Sequence, residues 1–427
     1  MTAVTDILKE LDWRGLIHQC TDRATLQELL KTSQVVYAGF DPTSDSLHVG
    51  SLLPLMMLRR FQKAGHRPIA VVGGATGMVG DPSGKSDERN LLSKEVLEAN
   101  VAGLEQQMRG FLDFDGPNGA KLVNNYDWTK GISFLDFLRD IGKNVPVNVM
   151  LTKDSVKSRL ERQDSGLSYT EFSYMLLQAF DFAYLANTLQ CSLQIGGSDQ
   201  WGNITAGIDL GRRMHGEALY GLTCPLLLTS DGRKMGKTER GAVYLSASKT
   251  SPFAFYQYFV NVEDADVMMV LRYLTEIEHE EILDLEKATQ EAPHERRAQK
   301  RLAESLTELV HGKAGLDAAK RATDTLFGAA IEDLNDAQLM DIFADVPSKA
   351  LQRQRLEEGL SIVDALVESE LAKSKGEGRR LVEGGGIYLN NRKIEGIDRV
   401  LSAADLASET VMVLRSGKRK YALLKFS

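Results

Sequence analysis

The sequence predicts a doubly wound parallel α/β sheet, followed by a helical stretch and a small α+β module, and three observations predict it. From about residue 35 to 230, short apolar runs alternate with amphipathic helices. The first strand–helix–strand unit spans only about 40 residues, which favours parallel strands joined by a right-handed crossover. From about 247 the strand signal disappears, and from about 358 it returns in short pieces.

Each element has its own reason. Val35–Phe40 is a short apolar run and reads as a buried strand. Leu47–Ala64 reads as a helix that stops at Gly65, a residue suited to a left-handed C′ position. Pro68–Val72 completes the unit as the next strand. A helix is expected near Lys94–Leu112, a strand near Lys121–Asn124, a long helix near Tyr169–Leu189 and a strand at Ser192–Ile195. Ser168 and Glu171 form a capping-box pair at the start of the long helix. Ser251-Pro252 fits an N-cap with proline at N1, and Pro293 suits another helix start. The stretch 331–357 is short, polar and helical in character and reads as a linker. Beyond it come two short helices, Gly384-Gly385-Gly386, a strand Ile387–Leu389, a turn at Asn390-Asn391 and a final hairpin over Val411–Leu414 and Arg419–Lys425.

Composition narrows the classes. The chain has 427 residues, a net charge of −8, 43% hydrophobic and 26% charged residues, as in an ordinary soluble globular protein of two to three domains. No apolar run is long enough for a membrane span, and the N-terminus lacks a signal-peptide pattern. Three scattered cysteines (Cys20, Cys191, Cys224) make neither a disulfide framework nor a zinc site, so a cytoplasmic protein is expected.

Four constellations sit where chemistry is expected, at strand ends. Strand Val35–Phe40 runs into Asp41 and on to His48-Val49-Gly50-Ser51, at a helix start able to meet an anion. Neither a GxGxxG nor a Walker A pattern is present there, and His48 alone reads equally as a helix cap. Lys234-Met235-Gly236-Lys237-Thr238 packs cations, a glycine and a hydroxyl into one loop, fit to cover a polyphosphate or simply to be solvated. Tyr174, Gln178 and Asp181 recur at i, i+4 and i+7 opposite the apolar face Phe172, Leu176, Ala179 and Ala183. That second face is either wet or a pocket wall suited to an ammonium and a hydroxyl. Gly196–Asn203 follows a strand, and its Asp199 is either a helix N-cap or a ligand for ribose hydroxyls.

Together these residues resemble the class I aminoacyl-tRNA synthetases. His48-Val49-Gly50-Ser51 is similar to their HIGH motif, and Lys234–Thr238 to their KMSKS loop. Tyr37–Asp41, Tyr174-x-x-x-Gln178-x-x-Asp181 and Gly196–Asn203 resemble the bacterial tyrosyl-tRNA synthetases in particular. The resemblance covers essentially the whole chain. It implies a Rossmann-like catalytic domain over 1–246, an α-helical anticodon-side domain over 247–330, the linker 331–357 and an S4-like RNA-binding domain over 358–427. It also implies roles. Tyr37 and Asp181 hold a tyrosine phenol; Asp81, Tyr174, Gln178 and Gln200 hold its ammonium end. Gly39, Asp41, Gly50, Ser51, Gly197 and Asp199 meet ATP or the adenylate. His48, Lys85, Arg89, Lys234, Lys237 and Thr238 surround the phosphates. The implied substrates are L-tyrosine, ATP with Mg2+, and tRNA(Tyr), with no tightly bound cofactor or structural metal. A homodimer is implied, with its interface near a long helix after Asn125.

Three positions depart from the motifs. Ser51 replaces the second histidine of HIGH, Gly236 replaces a serine and is expected to loosen its loop, and Ala38 stands where some relatives carry cysteine. The nearest alternative is the tryptophanyl type, which shares the fold. The negative total charge also hides an asymmetry. Residues 361–427 carry 12 basic and 9 acidic side chains, leaving a net of −11 for residues 1–360. Arg379, Arg380, Arg392, Lys393, Lys418, Arg419 and Lys420 are the candidate RNA contacts in this basic tail.

Overall fold

A computed structural model describes residues 4–81, 92–153, 156–157, 168–239, 241–331, 334–417 and 420–427. The chain forms two compact units, Met1–Thr250 with Val262–Val310, and Ser251–Asn261 with His311–Ser427.

The first unit is built on six strands: β1 (Gln19–Cys20), β2 (Val35–Phe40), β3 (Arg67–Val72), β4 (Lys121–Asn124), β5 (Cys191–Gly197) and β6 (Tyr220–Cys224). Their order is β1-β6-β5-β2-β3-β4, and all neighbours are parallel except the two-residue edge strand β1, which sequence reading missed. From β2 the chain moves outward through β3 to β4, then returns to place β5 on the other side of β2. That reversal opens a crevice at the carboxyl ends of β2 and β5, the preferred ligand position in such sheets.

Four helices matter to this crevice: α1 (Val49–Lys63), α2 (Lys94–Met108), α3 (Tyr169–Leu189) and α4 (Trp201–His215). The apolar side chains of α1 are buried on most sides, from Leu52 to Phe61, as expected of a helix inside a large core. Gly65 follows it at φ +96°, as the sequence indicated. Ser168 caps α3 by accepting the Glu171 amide at 3.2 Å. The helix ends at Gln190, which takes the left-handed conformation without being a glycine. Tyr37 and Phe182 meet edge to face in the core between the sheet and α3. After Asn125 the chain forms several short helical segments between Tyr126 and Leu151 instead of the expected long helix.

The stretch expected to form one helical domain is divided between the units. Asp264–Leu274 and His279–Glu291 belong to the first, and Pro252–Val260 to the second. The long helix Arg297–Leu326 breaks at Gly312, whose φ of 69° and ψ of 175° are not helical, next to the unit boundary. Ser251 caps Pro252–Val260 as read from the sequence.

The second unit contains a sheet of β7 (Ser348–Leu351), β8 (Ile387–Leu389), β9 (Arg392–Lys393), β10 (Val411–Ser416) and β11 (Lys420–Phe426), ordered β9-β8-β10-β11-β7. The expected linker therefore differs from what is found, because its residues 348–351 pair in parallel with β11. Within it, helix Asp336–Ile342 packs Leu339 and Ile342 against Val411, Val413 and Leu423. The strand is hard to read because Ser348-Lys349-Ala350 is an exposed edge with no apolar alternation. Opposite faces of β10 and β11 carry separate cores, with Met412, Leu414, Leu424 and Phe426 packed on Ile362 and Leu366. Asn390 and Asn391 both have positive φ, 49° and 61°, as a two-residue type I′ hairpin requires.

Candidate active site

The crevice at the ends of β2 and β5 holds a cavity of about 390 Å³. Its walls come from all four constellations. They include Tyr37, Gly39, Asp41, His48, Gly50, Asp81, Tyr174, Gln178, Asp181, Gly197, Asp199, Gln200, Lys234 and Lys237.

At the bottom lie Tyr37 and Asp181, 2% and 4% exposed, so the second face of α3 is a wall and not a wet surface. The Tyr37 hydroxyl is buried with no hydrogen-bond partner. Burial, then the nearby Asp181 carboxyl, pushes its pKa well above that of an ordinary phenol, so it keeps its proton. Asp181 accepts the Asn125 amide at 2.9 Å and the Trp128 indole N–H at 2.8 Å. Burial outweighs these two donors and, with Asp41 adding repulsion, lifts the Asp181 pKa to about 7. Asn125 accepts the Ala75 amide at 2.7 Å, and its side-chain N–H also reaches Thr76 Oγ1 at 3.1 Å. Thr76 in turn donates to Asp41 at 3.0 Å, and the Tyr174 hydroxyl donates to the other Asp41 oxygen at 3.2 Å.

A second network runs across the cavity. Gln178 donates to Gln200 Oε1 at 3.2 Å, and Gln200 donates to Asp81 at 2.7 Å. Asn203 also donates to Gln200 Oε1, at 3.1 Å. Burial, followed by repulsion from Asp81, raises the pKa of Asp199, while Lys234 pulls against the rise. This wall concentrates negative charge and suits an ammonium group.

At the mouth, His48 occupies the N-cap of α1, but its ring makes no capping hydrogen bond. A Cβ on Gly50 would stand 2.9 Å from His48 Cε1, so the H-x-G spacing lets the imidazole fold over the helix start. The Lys234–Thr238 loop comes down on the same place. Val243 N donates to Gly236 O at 2.8 Å, and Val49 N to Val243 O at 2.9 Å. Gly236 has φ +83°, and a Cβ there would be 2.7 Å from Val49 Cβ. Glycine at this position therefore permits close docking of the loop, contrary to the expectation that it loosens it.

Not every expected residue arrives. Ser51 and Thr238 are not among the cavity walls, and the Thr238 hydroxyl instead donates to Gly241 O at 3.0 Å inside its own hairpin. Lys85, Arg89, Lys418 and Arg419 lie outside the described residues. Arg379, Arg380, Arg392, Lys393 and Lys420 are exposed in the second unit. Sequence reading missed Thr76, Asn125, Trp128 and Gln194. Gln194 pairs with Tyr37 across β5 and β2, is 2% exposed, and its Oε1 has no partner. Asn125 directly follows β4, so the strand-end rule that found the other loops was enough to flag it. Among the described residues no group of three or more His, Cys, Asp or Glu is placed to hold a metal ion. None of the described helices is long and apolar enough to cross a membrane.

Residues 30–328 match the family described as tRNA synthetases class I (W and Y), and residues 338–424 match the tyrosine–tRNA ligase SYY-like C-terminal domain. A protein of Rhodopirellula baltica named tyrosine–tRNA ligase is 60% identical over 425 residues, covering 99% of this chain and 97% of the relative. A protein of the same name from Roseiflexus castenholzii is 52% identical, covering 99% and 100%. The solved structure of a C-terminally truncated mitochondrial tyrosyl-tRNA synthetase of Aspergillus nidulans superposes with a TM-score of 0.69 at 33% identity, covering 76% of this chain and 94% of that one.

Proposed function

Because the chain belongs to the class I tRNA synthetases of the W and Y type, we propose that it is a tyrosine–tRNA ligase, forming tyrosyl-adenylate from L-tyrosine and ATP and passing tyrosine to the 3′ end of tRNA(Tyr). The observation that carries the choice of tyrosine is the unpartnered Tyr37 hydroxyl beside Asp181 at the bottom of the cavity. A phenol satisfies both groups, accepting from Tyr37 and donating to the Asp181 carboxylate. An indole N–H is a donor only and leaves Tyr37 unpaired; phenylalanine leaves Tyr37 without an acceptor and offers Asp181 no donor beyond Asn125 and Trp128.

In this reading Tyr174, Gln178 and Asp81 hold the α-ammonium, with Gln200 bracing Asp81, and Asp199 and Gly197 meet the ribose. The tyrosine carboxylate attacks the α-phosphorus in line, and pyrophosphate leaves with the bond's electron pair. The nucleophile is already an anion, so the work of the site is alignment and charge stabilisation. Lys234 and Lys237 supply that charge at the mouth and His48 an imidazole hydrogen-bond donor, with Lys85 and Arg89 assigned to the charge by resemblance. Gly39, Asp41 and Gly50 border the adenylate. Mg2+ enters as part of the ATP substrate complex.

The basic tail, read as an S4-like module, contacts tRNA through Arg379, Arg380, Arg392, Lys393 and Lys420. The homodimer expected from the resemblance finds support in Phe134, Leu135 and Val147, which are 66%, 74% and 58% exposed within one short stretch. The three cysteines are all free thiols, in keeping with a cytoplasmic enzyme. Tyrosine-dependent ATP–pyrophosphate exchange tests the proposal, repeated with tryptophan and phenylalanine. Exchange driven by tyrosine alone is expected; exchange that ignores tyrosine, or prefers tryptophan, overturns it.

A further inference from the structure

Between β2 and α1 the chain makes a turn, residues 41–47, that delivers His48 to the mouth of the cavity. One face of α2 grips this turn. Asn100, Gly103 and Gln107 recur at spacings of three and four, so they share that face. The Asn100 amide donates to Pro42 O at 2.9 Å. At Gly103 a Cβ would overlap Asp45 O, so only glycine lets the turn lie this close. Gln107 Oε1 accepts the Leu47 amide at 2.8 Å, one residue ahead of His48, and its Nε2 donates to Ser46 Oγ at 3.0 Å.

The grip extends to the lysine loop. Ser46 Oγ also accepts the Ser246 amide at 3.1 Å and donates to Leu47 O at 2.8 Å, which leaves its hydroxyl fully used. Leu245 N donates to the same Leu47 O at 2.8 Å. Two residues back, Val243 links the Val49 amide to Gly236. Lys249 closes the far end by pairing with Asp45 and donating to Ser44 at 3.1 Å. A continuous hydrogen-bonded path thus runs from Gln107 through Ser46 and the strap 243–246 to the Lys234–Thr238 loop.

We propose that the Asn100–Gly103–Gln107 face of α2 is a positioning element for adenylate formation, setting His48 and the lysine loop against the ATP phosphates together. None of these three residues borders the cavity. They act by fixing the backbone on which the charged groups ride, and small misplacements of such groups are costly in rate. The inference rests on the tyrosine–tRNA ligase reading. The tyrosine-holding residues lie on β2, α3, the β5 loop and at Asp81, and they meet the gripped turn only at its first residue, Asp41; Gln107 acts at the other end, on Ser46 and Leu47, so its loss affects ATP and the chemical step and leaves tyrosine binding alone.

The test uses the full chain and three variants, Gln107→Leu, Gln107→Glu and Ser46→Ala. First, wild-type protein must show tyrosine-dependent pyrophosphate exchange; if it does not, the functional reading fails, not the clamp. Given that activity, Gln107→Leu is expected to lower kcat for exchange about tenfold and raise the KM for ATP, with the tyrosine Kd from equilibrium dialysis within twofold of wild type. Gln107→Glu keeps the acceptor for the Leu47 amide and is expected to recover most of the rate. Unchanged exchange in both Gln107 variants overturns the proposal. So does a loss that falls equally on tyrosine affinity, or a Gln107→Glu variant as slow as Gln107→Leu. If Gln107→Leu does not fold, Ser46→Ala, which removes one hydroxyl, must show the same split between ATP and tyrosine.

Discussion

The Tyr37 hydroxyl lines the cavity with no hydrogen-bond partner from the protein, so a substrate phenol can pair with it. Tyr37→Phe is therefore expected to lower the preference for tyrosine over phenylalanine about tenfold or more while ATP binding stays largely intact. Competitive pyrophosphate-exchange assays check this. Unaltered selectivity counts against the assignment. Asp181 makes a pH prediction. Its carboxyl titrates near 7, held up by burial, so below that pH it is mostly neutral and no longer an anionic acceptor for the substrate phenol. Tyrosine binding should weaken about tenfold from pH 8 to pH 6, and Asp181→Asn should bind weakly with no such slope, as read by dialysis across that range. Asp181 was legible in the sequence from its helical spacing with Tyr174 and Gln178, and Tyr37 only through the resemblance that Tyr37–Asp41 carries. Asn125, Trp128 and Thr76 were not, since each is a single polar residue whose partner is 35 to 56 positions away.

Gly236 shows how a strand end and a distant loop become one element. Its positive φ and its closeness to Val49 mean that any side chain must either strain the backbone or push the loop off the start of α1. A non-glycine residue in a left-handed conformation costs roughly 1–2 kcal/mol. Gly236→Ala is expected to slow adenylate formation about five- to thirtyfold, with tyrosine affinity unchanged, in single-turnover measurements. Loss of tyrosine affinity instead would mean that the loop supports the floor of the cavity. At this scale the core of the fold was readable. β2, β4, α3 and β8 fall at the residues their patterns mark, because each combines an apolar run with a clear cap or turn. The two-residue β1 and the exposed β7 have neither; their pairing is decided by the sheet they join.

Across the whole molecule, charge is sorted by position. The acidic excess lies in residues 1–360, whereas Arg379, Arg380, Arg392 and Lys393 stand exposed on the C-terminal unit. Replacing all four with alanine should weaken tRNA binding and flatten its dependence on salt, by roughly 0.7–0.9 in the log–log slope for each phosphate that is no longer neutralised. Pyrophosphate exchange, which needs no RNA, should keep its rate. An unchanged salt slope in filter binding would place the tRNA elsewhere. The change in sequence character near 358 was visible, but the unit boundaries were not, because they depend on which helix packs with which strand. The order in which those parts leave the ribosome matters too. Pro252–Val260 is made before the last stretch of the first unit, yet the core that its Phe253 packs on, which runs from Ala322 and Phe343 to Val413 and Leu423, is completed only by the last strands. A nascent chain must therefore carry this helix with part of its apolar surface uncovered until the last strands are made. Premature release, or a stop codon in the C-terminal third, would leave that helix exposed to aggregation or to quality-control proteases even when the catalytic cavity itself is complete.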